Sequence, residues 1–265
     1  MMQMSKMNIH QLIKNSHQPQ PVGELFINDL ERAIKLKESE NIRKVTKSYK
    51  PSSLTCLRNM YFQMTGEEPE KETMDSNLVG ICETGTDRHE RLQEIISQLA
   101  EYDVDFKWHD VEEYIVEKGL THLEIISKEG HETKLFNKSL NMRFMCDGII
   151  TYRGNDYVLE IKTETIYKWQ SRKGVAEEHI PQGTAYATNF DIDKVMFLYE
   201  NRDFSGKKAY VLDITDEMKL ELILDTINDC NQYIENKEVP PYPHNAGPKL
   251  CKYCKYIEPC IKAGR

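Results

Sequence analysis

The sequence predicts a mixed α/β fold in which helices flank a central sheet. Apolar residues recur at helical spacing, with charged residues between them, in residues 24–40, 77–100 and 216–236. Two other stretches, residues 142–152 and 156–163, are instead rich in Ile, Val, Leu, Tyr and Phe, as strands are. Shorter strands are predicted at residues 111–116, 122–127, 194–201 and 209–214.

The two central strands are predicted to form a hairpin that carries three ionisable residues. Its turn is Arg153-Gly154-Asn155, with Gly near the centre. Asp147 begins an apolar run on the first strand, while Glu160 and Lys162 lie two positions apart on the second and so share one face. Two carboxylates can hold a hard cation, and a neighbouring lysine can orient a water bound to it. A Glu-x-Lys tripeptide alone is more often an exposed charge pair, so other elements must support this interpretation.

Two of the predicted helices carry polar residues beside apolar ones. In residues 77–100, His89 shares a face with the apolar residues that follow it, so it points inward. In residues 176–189, Gln182 and Tyr186 lie at i and i+4 on one face. We expect these helices on opposite sides of the sheet. An inward histidine is in general more often a satisfied core residue than a ligand.

Composition and charge narrow the class of protein. A chain of 265 residues, 39% hydrophobic and 29% charged, suits a soluble globular protein with a full core. Residues 1–15 contain no apolar run long enough for a signal sequence, and no later segment approaches a membrane span, so a cytoplasmic protein without a membrane partner is expected. The net charge of −8 disfavours global attraction to nucleic acid, so such binding would have to be local.

Basic residues are densest in residues 32–50, which contain seven Lys or Arg. Such a run is more often a solvated face. It is nevertheless a candidate for phosphate contacts.

The cysteines point to metal binding. Seven cysteines, an odd number in a reducing compartment, argue against a disulfide framework. A C-x2-C-x5-C triad near the end of the chain needs a fourth ligand to complete a tetrahedral metal site or a cubane cluster, and Cys56, near a predicted Ser-capped helix start, can supply it. Zinc stays open, although one remote cysteine with a compact triad is atypical of zinc knuckles. The triad is Cys251, Cys254 and Cys260, and the remaining thiols, expected in the core, are Cys82, Cys146 and Cys230.

Together these motifs resemble those of a nuclease superfamily. Asp147 followed by Glu160-Ile161-Lys162 resembles the Asp…Glu-x-Lys signature of the PD-(D/E)XK nucleases, in their RecB-like branch. The segment around Cys56, combined with the terminal triad, resembles the iron–sulfur members of that branch: the CRISPR-adaptation nucleases, the AddB recombination subunit and related phage-encoded exonucleases. The resemblance spans residues 50–260.

The resemblance implies a restriction-endonuclease-like core with a C-terminal iron–sulfur segment. It divides the chain into an N-terminal arm and helix (1–49), a nuclease core (50–240) and a cluster segment (241–265). His89 matches the Gly-x-x-x-His element of the branch, and the Gln-x-x-x-Tyr pair matches an element that positions DNA. The implied roles are catalysis by Asp147, Glu160 and Lys162; Mn²⁺ or Mg²⁺ binding by His89, Asp147, Glu160 and the Ile161 carbonyl; a 4Fe-4S cluster on Cys56, Cys251, Cys254 and Cys260; and DNA binding by Gln182 and Tyr186.

The expected function is metal-dependent exonucleolytic hydrolysis of DNA, on single strands or at ends. Its setting would be recombination, repair, or phage or CRISPR DNA processing, with oligomerisation or a partner protein from such a system. Two alternatives stay open: a non-catalytic subunit that binds DNA ends, and a zinc-stabilised interaction module in which Glu160 and Lys162 are incidental. Iron with acid-labile sulfide would favour the nuclease, and zinc without sulfide the module.

Overall fold

A computed structural model describes residues 21–40, 46–69, 76–244, 246–252 and 254–264. The chain forms two compact units, one made by the described residues of 1–43 and 72–83, the other by those of 44–71 and 84–265. Within the described ranges no helix has both the length and the apolar character needed to cross a membrane. Most of the predicted N-terminal arm lies outside the described residues.

The elements follow in chain order. The helices are α1 (Pro21–Glu40), α2 (Leu57–Thr65), α3 (Ser76–Ser97), α4 (Val111–Lys118), α5 (Ile166–Ser171), α6 (Ile180–Phe190), α7 (Asp216–Lys219), α8 (Thr226–Asn236), α9 (Pro248–Cys251) and α10 (Ile257–Lys262). The strands are β1 (Phe106–His109), β2 (Leu123–Glu129), β3 (Glu132–Asn137), β4 (Met142–Phe144), β5 (Gly148–Tyr152), β6 (Asn155–Glu164), β7 (Lys194–Asn201) and β8 (Lys207–Asp213). A π-helical segment, Leu220–Asp225, joins α7 to α8, so the long helix predicted at 216–236 is confirmed with one irregular stretch.

The larger sheet has the strand order β1-β5-β6-β7-β8. β6 and β7 run parallel, and the other neighbours run antiparallel. The predicted mixed central sheet is therefore confirmed. These directions bring the start of β5, the ends of β6 and β7 and the start of β8 to the same end of the sheet. We call this end of the sheet the site end, because Asp147 directly precedes β5 there. The strand termini at this end are Gly148, Glu164, Asn201 and Lys207.

The first strand of the predicted hairpin is shorter than expected. Residues 142–152 do not form one strand: β4 pairs with β3 in a separate sheet of order β2-β3-β4, and β5 begins only at Gly148. The hairpin turn itself has two residues, Arg153 and Gly154, both at positive φ, because Tyr152 pairs with Asn155. Asp147 consequently lies where the chain crosses between the two sheets.

The two faces of the larger sheet pack against different helices. Leu92 of α3 packs with Ile150 and Leu159 on one face. Ala185 of α6 belongs to the core on the other face, with the neighbouring strand residue Val158. Since successive strand residues point to opposite faces, the prediction that α3 and α6 flank the sheet is confirmed.

A glycine permits the close approach of α6 to the sheet. A Cβ atom at Gly183 would lie 2.7 Å from the Phe197 ring, so a larger residue would push the helix outward. Pro181 occupies the first turn of α6, where its missing N–H has no intrahelical partner to lose. The helix therefore starts at Ile180, later than the predicted residue 176.

Residues 111–116 were predicted as a strand, and this is wrong: they lie in α4. The β-branched residues of the segment favoured a strand, but its ends favour a helix. The Asp110 carboxylate accepts hydrogen bonds from the amides of Glu112 and Glu113, and Gly119 adopts the left-handed conformation that ends a helix.

Two further predictions need correction. α2 is not Ser-capped: Cys56 itself is the residue that precedes its first turn, and Pro51–Ser53 forms a separate 3₁₀ turn. Cys82 was expected in the core and is exposed, whereas Cys146 and Cys230 are buried as predicted.

The first unit contains α1 and the first residues of α3. α1 confirms the helix predicted at residues 24–40, with a start at Pro21. Its apolar side chains at Leu25 and Phe26 are exposed. In the basic stretch, Arg32 is exposed and pairs with Asp29, while residues 43 and 44 lie outside the described residues.

Candidate active site

Asp147 is fixed at the site end by two hydrogen bonds. Its Oδ2 accepts the backbone N–H of Ile161 at 2.5 Å, which ties β5 to β6 at this point. Its carbonyl accepts the side-chain amide of Gln93, from α3, at 2.8 Å. The next residue has to be glycine, because a Cβ atom at Gly148 would lie 2.6 Å from the Trp108 ring. The carboxylate is thus held by main-chain geometry.

Glu160 and Lys162 lie on one face of β6, as the spacing predicts. Lys162 Nζ donates to Glu160 Oε1 at 2.5 Å, and Glu160 is only 3% exposed. Burial and, next, the nearby Asp147 carboxylate raise the pKa of Glu160 to about 7, against the opposing effect of Lys162. The three predicted residues are therefore brought together, in a place where negative charge is concentrated. A divalent cation relieves such repulsion.

Gln182 links the helix α6 to this pair. Its amide oxygen accepts Lys162 Nζ at 3.0 Å, and its amide nitrogen donates to Glu160 Oε1 at 2.9 Å. The same nitrogen lies 2.8 Å from the Tyr186 hydroxyl, and Tyr186 is buried. Both residues that were expected to bind DNA thus belong to the hydrogen-bond network of the site. A DNA contact by either stays a prediction.

His89 reaches the site from α3, on the opposite side of the sheet from Gln182. Its Nδ1 lies 3.5 Å from Asp147 Oδ1. Burial acts to lower the pKa of His89, but Asp147 and then Glu160 outweigh it, so the pKa is raised. His89 and Lys162 each face one of the two carboxylates.

A second buried carboxylate holds α3 on the sheet. Glu200, at the site end of β7, is fully buried and pairs with Arg88 Nη1 at 3.1 Å and with Arg91 Nη2 at 2.6 Å. Lys207 Nζ lies 3.5 Å from the same carboxylate. Arg88 also donates to the Arg202 carbonyl at 2.6 Å. Because Arg88 and Arg91 flank His89 in sequence, these bonds set the position of the histidine.

Sequence reasoning missed Gln93, Glu200 and Glu132. A signal existed for the first, since Gln93 follows His89 by four residues and therefore shares its helix face. It existed also for Glu200, a carboxylate inside an apolar strand, as Glu160 is. Glu132, at the start of β3, lies near enough for Asp147 to raise its pKa, after burial, which is the larger cause. No local pattern marks Glu132.

The four predicted cysteines line one cavity. Cys56, from the start of α2, meets Cys251, Cys254 and Cys260 there, and the cavity has a volume of about 190 Å³. Burial, the largest cause, raises the pKa of the Cys56 and Cys254 thiols. The segment of Cys56 and the C-terminal triad, 195 or more residues apart in the chain, are thus adjacent, as the sequence predicted.

No three His, Cys, Asp or Glu side chains in the described part of the chain are close enough to enclose one ion. At the cysteines, four thiols that line one cavity are the donors that both zinc and iron–sulfur clusters take. At the carboxylates, the donors are those that Mg²⁺ and Mn²⁺ prefer.

Comparisons with known proteins give no family assignment. No protein-family profile matches the chain, and no curated protein matches its sequence. The crystal structure of a protein named SSO0001 is similar, with 19% identity, 90% of this chain and 97% of that chain covered, and a TM-score of 0.49.

An alkaline exonuclease (LHK-Exo) from Laribacter hongkongensis is also similar, with 12% identity, 73% and 90% coverage and a TM-score of 0.41. Its complex with dAMP gives 12% identity, 72% and 89% coverage and 0.42. Superpositions this loose assign neither a family nor an activity to this chain.

Proposed function

We propose that this protein is a metal-dependent deoxyribonuclease that acts exonucleolytically on single strands or DNA ends. The observation that carries the proposal is the convergence of Asp147, Glu160 and Lys162 at one end of the sheet. Gln182 bonds to both Glu160 and Lys162, and the Ile161 amide between them donates to Asp147. Beside a lysine, the buried Glu160 and the partly exposed Asp147 serve packing poorly, because burying charge is costly. They suit hydrolysis of a phosphodiester.

The donor set supports Mn²⁺ or Mg²⁺. Asp147 and Glu160 would hold the ion, with His89 and the Ile161 carbonyl as further ligands. When bound, such an ion lowers the pKa of a water and stabilises charge on a phosphate. An imidazole in the ligand set favours Mn²⁺ over Mg²⁺.

Lys162 is positioned to act on the reacting atoms. Its ammonium group has three N–H donors. Glu160 and Gln182 take up two of them among the described residues, and both acceptors fix the direction of the third. The side chain is 21% exposed, so solvent and substrate reach it. The third donor would orient the attacking water or stabilise charge on the phosphate.

Local positive charge supports DNA as the substrate. Although the chain carries a net charge of −8, the cluster of Arg88, Arg91 and Lys207 around Glu200 has two positive charges in excess. Arg91 and Lys207 are each 44% exposed. This cluster lies at the site end, along β7 and β8, next to β6. It suits the phosphates of a strand that continues beyond the reacting bond.

We propose a 4Fe-4S cluster at Cys56, Cys251, Cys254 and Cys260. Support comes from the shared cavity of about 190 Å³, which all four cysteines line. The cluster would be structural, since hydrolysis transfers no electron.

The test is digestion of end-labelled linear DNA and of circular duplex DNA, with Mn²⁺ and with Mg²⁺. The proposal predicts progressive shortening of linear DNA and intact circles. Folded protein that binds DNA ends but degrades neither substrate with either metal would refute catalysis and leave the end-binding alternative. Cleavage of circles would refute the exonucleolytic part alone.

A further inference from the structure

Arg58, in the first turn of α2, is buried, and its hydrogen-bond partners among the described residues are neutral. It is 5% exposed. Its Nε donates to the Pro240 carbonyl at 2.7 Å, and its Nη1 donates to the carbonyls of Cys260 at 2.7 Å and Gly264 at 2.8 Å. Its guanidinium lies 5.2 Å from the centre of the Tyr242 ring. One cation thus joins α2 to several points of the C-terminal segment.

Among the described residues, no carboxylate lies within ion-pair distance of Arg58. This sets it apart from Arg172, which is also largely buried but pairs directly with Glu164, and from Arg88, which pairs with Glu200. Carbonyl groups satisfy the N–H donors of a guanidinium and leave its charge uncompensated. A buried charge without a counter-charge is strongly destabilising.

The fourth contact of Arg58 is a sulfur atom. Its Nη1 lies 3.5 Å from Cys260 Sγ, and since this nitrogen has two hydrogens for three acceptors, one hydrogen is shared. The next residue makes a similar contact, since the Asn59 side-chain amide donates to Cys254 Sγ at 3.6 Å. Two of the four cysteines therefore receive N–H donors from α2, the helix that begins at a third, Cys56.

Metal coordination turns these cysteines into anions. Cysteine binds metals as the thiolate, and four thiolates bring more negative charge than a zinc ion or an oxidised iron–sulfur core brings positive charge. The loaded centre is therefore a net anion inside the protein. Arg58 is the buried cation next to it.

We propose that Arg58 is the built-in counter-cation of the metal–thiolate centre and that, with Asn59, it holds two of the cysteine sulfurs by N–H···S hydrogen bonds. This role rests on the cofactor proposed above, and Arg58 is a positioning residue, not a catalytic one. Positive charge and hydrogen bonds at the sulfurs raise the reduction potential of a cluster and slow its loss.

A purely structural role makes a different prediction. If Arg58 only clamps the C-terminal segment through the carbonyls, its loss destabilises the metal-loaded and the metal-free protein equally. If it balances the charge of the thiolates, its loss destabilises the loaded protein more. Measuring stability with and without the Arg58 side chain, and with and without metal, gives a thermodynamic cycle. The cycle isolates the interaction between the side chain and the metal centre.

The experiment uses the full chain, purified and reconstituted anaerobically, as wild type, Arg58→Met and Arg58→Lys. Iron, sulfide and zinc content are measured first. Melting temperature is then recorded with and without metal, together with the rate of metal loss to a chelator and the reduction potential of the centre. Arg143→Met is the matched control, because Arg143 packs on the Phe136 ring and does not line the cysteine cavity.

We expect Arg58→Met to lower the melting temperature more in the loaded than in the metal-free protein, to release metal about tenfold faster and to lower the reduction potential. Arg58→Lys, which keeps the charge, should retain metal better than Arg58→Met. If Arg58→Met does not fold, Arg58→Gln, which also removes the charge, and Asn59→Leu take its place: metal release unchanged in both overturns the proposal. The proposal is also overturned if the wild type binds metal and Arg58→Met lowers the melting temperature equally in the loaded and the metal-free protein. A wild type without metal refutes the cofactor itself, and Arg58's role with it.

Discussion

His89 Nδ1 and Asp147 Oδ1 lie 3.5 Å apart. His89 belongs to α3, on one face of the sheet, and Asp147 immediately precedes β5. The contact joins α3 to Asp147, as the Gln93 hydrogen bond to the Asp147 carbonyl also does, while Glu200 holds the same helix to β7. It brings His89 into the candidate site. Replacing the imidazole should therefore affect metal use before it affects folding.

The first prediction is that His89→Gln raises the Mn²⁺ concentration needed for half-maximal cleavage about tenfold or more, with little change in melting temperature. The measurement is activity against Mn²⁺ concentration, with a melting curve alongside. His122→Gln is the control, because within the described ranges the His122 ring makes one hydrogen bond, at 3.0 Å to the Asn189 carbonyl, away from the site. A lower melting temperature with unchanged metal dependence would make His89 a core histidine.

The second prediction concerns the cluster around Glu200. Lys207→Gln should reduce the slope of log affinity against log salt by about 0.7 for single-stranded DNA, the value for one lost phosphate contact. Binding is measured without divalent metal, so that cleavage does not interfere. Lys194→Gln is the control: Lys194 is 37% exposed and paired with Asp213, but lies at the other end of β7. Equal slopes for the wild type and both variants would exclude this cluster from the DNA path.

The third prediction separates positioning from binding at Gln182. Gln182→Leu keeps the shape of the side chain but loses the bonds to Lys162 and Glu160, so kcat should fall about tenfold or more while KM changes little. Steady-state kinetics on a short single strand give both constants. Thr188→Val is the control on the same helix, because in the part of the chain that the structure describes the Thr188 hydroxyl bonds to the Thr184 carbonyl alone. A rise in KM with unchanged kcat would instead place Gln182 in substrate binding.

The fourth prediction concerns stability against pH. Burial, and then Lys162, lower the pKa of His179 to about 4, and its Nδ1 lies 3.0 Å from the Tyr199 hydroxyl. In the unfolded chain the pKa of histidine is about 6.5. As pH falls from 6.5 towards 4, the unfolded state binds a proton that the folded state does not, so the unfolding free energy should fall by about 2 kcal/mol in this window. His179→Phe should flatten that dependence in urea titrations at several pH values, and an unchanged slope would contradict it.

Much of this site could be predicted because its signals are local. Glu160 and Lys162 share a strand face by their spacing alone, and the helices carrying His89 and Gln182 follow from apolar periodicity. The error at residues 111–116 shows the limit of that method: the caps Asp110 and Gly119 outweigh the strand preference of the residues between them.

Long-range pairs could not be predicted in the same way. Arg58 meets carbonyl groups 182 to 206 residues later, and Glu200 meets Arg91 across 109 residues. Nothing in either local sequence specifies such a partner. Only the fold shows that Arg58 is buried with no carboxylate from the described residues beside it, or that Glu200 has three basic neighbours.

The central claim is that Asp147, Glu160 and Lys162 hydrolyse DNA, and Glu160→Gln tests it most directly. Glutamine keeps the shape of the side chain and an oxygen for Lys162 but removes the negative charge that would hold the metal ion. Glu124→Gln is the control, because Glu124 is an exposed glutamate that pairs with Lys138 on the other sheet. We predict that, in saturating Mn²⁺, Glu160→Gln degrades end-labelled DNA about 100-fold more slowly than the wild type or Glu124→Gln, while melting as a folded protein. Wild-type cleavage rates in purified, folded Glu160→Gln would contradict the assignment.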